Sequence, residues 1–142
     1  MSRRKGRILA FQALYSYDVG GVPLDELLTL EWEYSGDDET VEHDQTTDDF
    51  ARILISGTIN HLEEIDALIQ RHLTGNWEFG RINKVSLAIL RMSVFSLLYQ
   101  KDMPPSVVID EAIAITKKYG ADDAFRFINA VLDSIHKELD GK

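Results

Sequence analysis

Arg81 to Tyr99 reads RINKVSLAILRMSVFSLLY, and a helix over roughly Asn83 to Gln100 would be apolar on nearly every face. A surface helix needs one apolar stripe, whereas a helix apolar all round has to be enclosed by other elements. The spacing therefore predicts a central, buried helix, with the remainder of the chain wrapped around it.

On its C-terminal side, Pro104-Pro105 interrupts the pattern and Ser106 is the predicted cap of a further helix. Ile109, Ile113 and Thr116 repeat at helical spacing there, and Gly120 sets the end. Asp122 is the predicted cap of a last helix with Ile128, Val131, Leu132, Ile135 and Leu139 as its core stripe. On the N-terminal side, a turn holding Trp77 and Phe79 follows Gly75. Before it, a long helix to about Leu73 is predicted to open at Thr46 and Asp49, a weak capping box, and to bury Phe50, Leu54, Gly57, Leu62, Ile65 and Ile69. Ser35 to Thr46 is polar, acidic and aperiodic and reads as a loop. A short helix from Leu24 to Tyr34 and a first helix from Arg3 to Val19, with Ala10, Phe11, Leu14 and Tyr17 on one face, complete the pass. Neither a strand of useful length nor an internal repeat or linker interrupts the pattern. The expectation is an all-α fold, a compact bundle of six or seven helices in one domain over residues 1–142.

Composition narrows the function. The chain has no cysteine, which excludes disulfide scaffolds, thiol nucleophiles and cysteine-based zinc sites. No run approaches the roughly 20 apolar residues of a membrane helix, and the basic N-terminus leads into an amphipathic segment, so a cytoplasmic protein without membrane contact is expected. The formal net charge is -9, but it is unevenly spread. Arg3, Arg4, Lys5 and Arg7 place four cations in the first seven residues, whereas residues 8–51 hold no lysine or arginine and 12 of the 24 acids. This is the pattern of a local anion-binding patch on an acidic protein.

Catalytic and metal-binding patterns are missing. His43, His61, His72 and His136 have no ligand spacing; His61 and His72 would lie about 16 Å apart along a helix, too far to share a metal. Asp37, Asp38, Glu39, Glu42 and Asp44 lack the glycine and the bidentate glutamate of a calcium loop and read as a solvated charge run. Asp110-Glu111 would point about 100° apart on a helix, and no phosphate loop or nucleophile elbow is present. The basic start stands out. Cations at a helix N-terminus oppose the helix dipole, so they serve either as a solubilising tail or as a ligand site. Arginine's pairing with phosphate and stacking on unpaired bases makes RNA the natural ligand.

Three blocks carry a resemblance. RRKGRILAFQALYSYD at Arg3 to Asp18, RINKVSLAILRMSVFSLLY at Arg81 to Tyr99 and MPPSVVIDEAIAITKKYGADDAFRFINAVLDSI at Met103 to Ile135 resemble, in order and spacing, the NusB transcription-antitermination family. The resemblance implies two helical subdomains, no reaction and no cofactor. It implies binding of single-stranded boxA RNA together with NusE, a ribosomal small-subunit protein, in an antitermination complex that includes RNA polymerase; a homodimer stays open. Carried over residue by residue, it nominates Arg3, Arg4, Lys5 and Arg7 for phosphates, Tyr119 and Phe127 for base or ribose contacts with Asp123 and Arg126 beside them, and Tyr15 for NusE.

Some positions depart from the family pattern. Ser86 stands where an acid facing NusE is usual, Gly6 where alanine is common, and Phe125 and Ala130 where a more polar residue and a glycine are common. Core packing competes with RNA contact at Phe127, which adjoins the core stripe, and at Tyr119. Two other functions compete: a helical protein-interaction module that binds no RNA, and a relative of the NusB-like domain of rRNA cytosine methyltransferases. The latter is disfavoured because the chain stops at Lys142 without a cofactor domain.

Overall fold

The computed structural model describes residues 1–32, 44–75 and 77–141. Seven α-helices lie among them: α1 (Arg3–Gly20), α2 (Leu24–Leu27), α3 (Gln45–Asn60), α4 (Leu62–Arg71), α5 (Lys84–Tyr99), α6 (Pro105–Tyr119) and α7 (Ala124–Asp140), with a 3-10 turn at Phe79–Arg81 before α5. The central helix is where its apolarity places it. Every residue of α5 from Ser86 to Leu97 is buried, Arg91 included. Arg91 is tolerated because Asp66 on α4 takes its Nε and Nη2 at 2.8 Å each and Asp18 on α1 lies 3.6 Å from Nη1. A buried guanidinium without such partners would be strongly destabilising.

Around α5 the helices form two groups. On one flank α1 packs on α3 and both rest on α5, with α2 against α3; on the other, α6 and α7 pack on each other and on α5, and α4 joins α5 to α7. The stripe predicted for α7 is borne out, Ile128, Val131, Leu132 and Ile135 being buried and Leu139 packed against the core.

Several predicted boundaries shift. The helix expected from Leu24 to Tyr34 is a single turn ending at Leu27, because Leu30 takes a left-handed backbone (φ 56°) that buries its side chain completely. The long helix expected to reach Leu73 is two helices, broken at His61 (φ -120°, ψ 22°), whose Nδ1 donates to the Gly57 carbonyl at 2.8 Å. Gly57 faces Phe95 so closely that a Cβ there would fall inside the ring, so α3 approaches α5 as no other residue would allow. Asp44 replaces Thr46 as the cap of α3, accepting from the Thr46 N–H at 3.0 Å. Pro104 and Pro105 start α6 in place of Ser106, the fixed φ of proline suiting a first helical position. Asp123, at φ 67°, precedes α7 in place of Asp122 and makes no side-chain cap. Most of the loop expected over Ser35 to Thr46, with His43 and the acidic run Asp37 to Glu42, lies outside the described residues.

Candidate RNA and partner interface

The basic start is the first turn of a helix, not a tail. Ser2 caps it, its Oγ accepting from the Lys5 N–H at 3.1 Å, and the Ser2 N–H donates to Thr47 Oγ1 at 2.8 Å, which ties α1 to α3. Arg3 and Arg4 are exposed and Lys5 is half-buried. Arg4 forms a two-pronged pair with Glu111 on α6, Nε to Oε2 at 2.8 Å and Nη2 to Oε1 at 2.9 Å. That hydrogen bonding, with the guanidinium charge, holds the Glu111 carboxyl below the usual carboxylate range.

Arg7 departs from its nomination for phosphate contact. It is 4% exposed, its guanidinium lying 5.5 Å from the Phe50 ring centroid and its Nη2 3.3 Å from Met103 Sδ. Burial pushes its pKa down, partly countered by the charge of Glu111. Although Arg7 follows the exposed Arg3 by one turn on the same face, Phe50 of α3 and Met103 cover it at that level of α1. Gly6 has a packing reason of the same kind: a Cβ there would lie 2.7 Å from Phe50 Cδ1.

Tyr15 and Tyr119, assigned to different ligands by the resemblance, line one groove of about 430 Å³ with Phe11, Gln12, Trp32 and Val85. Each is 38% exposed. Tyr119 leans on the buried Phe11 ring, centroids 5.3 Å apart and planes 57° apart, so it is partly packed and partly presented. Arg4–Glu111 and Phe11–Tyr119 both join α1 to α6, and Arg4 and Phe11 are two helical turns apart on α1, so the basic turn and this groove lie along one side of that helix.

Asp123, Arg126 and Phe127 form a second cluster at the start of α7. Phe127 is half-buried and stacks on Trp77, centroids 4.7 Å apart and planes 30° apart. Asp123 and Arg126 are exposed and only loosely paired, Nε to Oδ1 at 3.7 Å. Between the clusters lie cations that reading the sequence passed over. Lys117 Nζ stands 4.7 Å from the Phe125 ring centroid with Arg126 on the same ring at 5.6 Å, and Lys118 Nζ stands 5.3 Å from the Tyr119 ring. The Lys117-Lys118-Tyr119 run at the end of α6 was the available signal, but cations there also suit the helix dipole.

Two histidines are held by hydrogen bonds within the fold. His61 bonds Gly57, and His72 Nδ1 shares a 2.7 Å hydrogen bond with Ser134 Oγ. No group of three or more potential metal ligands occurs among the described residues, and no described helix is long and apolar enough to cross a membrane. Ser86 is buried at the start of α5, where its N–H is capped by Asn83, so a side chain there faces inward.

Known proteins of similar sequence and shape give the arrangement a context. Residues 4–137 match the model of the NusB family. The transcription antitermination protein NusB of Treponema denticola is 51% identical over 135 residues, covering 95% of this chain and 96% of its own. Among solved structures, T. maritima NusB superposes with a TM-score of 0.81 at 35% identity, over 97% of this chain and 92% of that one. A chain from a crystal structure of the antitermination factors NusB and NusE in complex with dsRNA superposes with a TM-score of 0.82 at 29% identity, over 96% of each.

Proposed function

The chain belongs to the NusB family, and from that premise we propose that it binds single-stranded boxA RNA together with NusE and so promotes transcription of rRNA operons within an antitermination complex containing RNA polymerase. The family is one of transcription antitermination factors, and the chain is not an enzyme. In this reading residues 1–142 act as one RNA-binding unit.

One observation carries the proposal. The basic first turn of α1 is bonded through Arg4 and Glu111 to the helix that ends in Lys117, Lys118 and the half-exposed Tyr119. Cations for a phosphate backbone and aromatic faces for bases thus share one surface of an otherwise acidic protein. Exposed aromatic faces favour unpaired over paired RNA, because a base inside a duplex already has its stacking partners. NusE in the related complex makes a protein partner natural, and the Tyr15 groove, apolar and open, is the surface we assign to it.

The test is a titration of labelled single-stranded boxA RNA and of the matching duplex, each with and without NusE, over a range of salt. The expected result is salt-dependent binding of the single strand, tightened by NusE and stronger than that of the duplex. Absence of RNA binding with retained NusE binding would leave the chain as a helical interaction module.

A further inference from the structure

Trp77 stands between α4 and the 3-10 turn, where apolar residues usually serve to close a core. Yet it is 55% exposed while stacked on Phe127. One face of the indole is covered by the phenyl ring and much of the rest is open to solvent. An aromatic kept this exposed contributes little to folding for its size, whereas a flat, supported ring is what an unpaired base stacks on.

The pair stands as a wall between two hollows. One, of about 410 Å³, is lined by His72, Thr74, Asp123, Arg126 and Ser134 together with the two rings. The other, of about 290 Å³, is lined by Asn83, Ser86, Asp122 and Asp123 with the same rings. Charge separates them. Arg126 borders only the first, and both Asp122 and Asp123 border the second, so a strand carrying phosphates is favoured on the first side. The 3.7 Å Arg126–Asp123 pair, three-quarters exposed at both ends, holds the guanidinium only weakly and leaves it available to a phosphate. His72, fixed by Ser134, and the Thr74 hydroxyl give that hollow a polar lining.

We propose that Trp77, supported by Phe127, is the stacking platform for a single unpaired nucleobase seated in the hollow between the end of α4 and the start of α7, with Arg126 on its phosphate. This rests on the RNA-binding reading above and adds to the Asp123, Arg126 and Phe127 cluster one residue, Trp77. Asp123, at the rim, can accept from an exocyclic amino group, which favours adenine, cytosine or guanine over uracil in that seat.

The full chain is titrated with the single-stranded RNA used above, intact and with each base in turn replaced by an abasic site. Trp77→Ala is expected to weaken binding roughly fivefold to a hundredfold, with the salt slope unchanged and only a small fall in the thermal midpoint from the lost ring pair. Trp77→Phe, which keeps a ring, recovers most of the loss. One abasic position should cost wild type a similar factor and Trp77→Ala nothing further, the signature of two partners in direct contact. Arg126→Ala should instead flatten the log–log salt slope by about 0.7. Full affinity of Trp77→Ala, or equal abasic penalties in wild type and variant at every position, overturns the platform while leaving the RNA-binding reading in place. Wild type that binds no single-stranded RNA at any salt overturns both.

Discussion

Arg7 and Phe50 are stacked across the α1–α3 contact, the guanidinium carbon 5.5 Å from the ring centroid, and Met103 closes over Arg7 from beyond α5. One of the four clustered cations therefore belongs to the interior. Its three neighbours Arg3, Arg4 and Lys5 stay at or near the surface.

Stability and RNA binding should separate along that line. Arg3, Arg4 and Lys5 replaced together by alanine should leave the thermal midpoint nearly unchanged, since cations in a first turn oppose the dipole, and should weaken RNA binding. Arg7→Ala, which empties packed space, should cost roughly 1 to 3 kcal/mol of stability. Removing Arg3, Arg4 and Lys5 should flatten the log–log salt slope by about 2.1, against about 2.8 for all four were Arg7 a fourth contact. Loss of RNA affinity from Arg7→Ala at unchanged stability would return Arg7 to the binding surface.

The Arg4–Glu111 pair makes a prediction about acid. Its hydrogen bonds lower the Glu111 pKa from the ordinary 4.5 in the folded state. A carboxyl depressed on folding adds stability that is fully present above its unfolded value and is lost as pH falls through the folded one. Urea midpoints of wild type and Glu111→Gln should therefore differ near neutrality and converge in acid below the folded pKa. The difference should be small because Arg4 is exposed, and it should shrink with salt. A gap that widens in acid would contradict the assignment.

Gly57→Ala tests the α3–α5 approach. Alanine favours a helix over glycine by up to ~1 kcal/mol, but here its methyl would enter the Phe95 ring, which is itself buried. Overpacking costs typically ~1 to 3 kcal/mol, so the net effect should be a lower midpoint. Gly57→Ala with Phe95→Leu should recover part of it. A stabilised single variant would show that the ring has room to move.

The sequence made the large features readable and the local ones less so. An all-apolar run has one home, so the burial of α5 followed from Arg81 to Tyr99, and the stripe of α7 followed from its spacing. Helix starts were misread by one or two residues at Thr46, Ser106 and Asp122, because Asp44 caps as well as Thr46 and because Pro104 and Asp123 start their helices with no side-chain cap. The chain's path settles the choice: Asp44 reaches the Thr46 N–H, and the Pro104-Pro105 pair already fixes the backbone. Arg7 reads as surface because its cover comes from Phe50 and Met103, the latter 96 residues away. Trp77 reads only as part of a turn, because exposure leaves no mark in a sequence. Its use follows only from its place on Phe127.

Tyr15 and Tyr119 share a groove yet are assigned different ligands, which makes their variants a crossed test of the interface. Tyr15 is 38% exposed, so Tyr15→Asp should keep its helical circular dichroism while placing a charge on the apolar floor proposed for NusE. Its affinity for RNA alone should hold. Tyr119→Ala removes a ring that leans on Phe11, so a stability loss of roughly 0.5 to 1.5 kcal/mol is expected from the aromatic pair. Alongside it, RNA affinity should fall by roughly fivefold to a hundredfold if a base stacks there. NusE binding without RNA should be little changed, because the Phe11, Gln12 and Val85 surface persists. Should Tyr15→Asp abolish binding of RNA alone as completely as Tyr119→Ala, the groove is a single RNA site and NusE docks elsewhere. Should Tyr119→Ala lose stability and nothing else, its ring belongs to the core and the bases are held at Trp77 and Phe127 only.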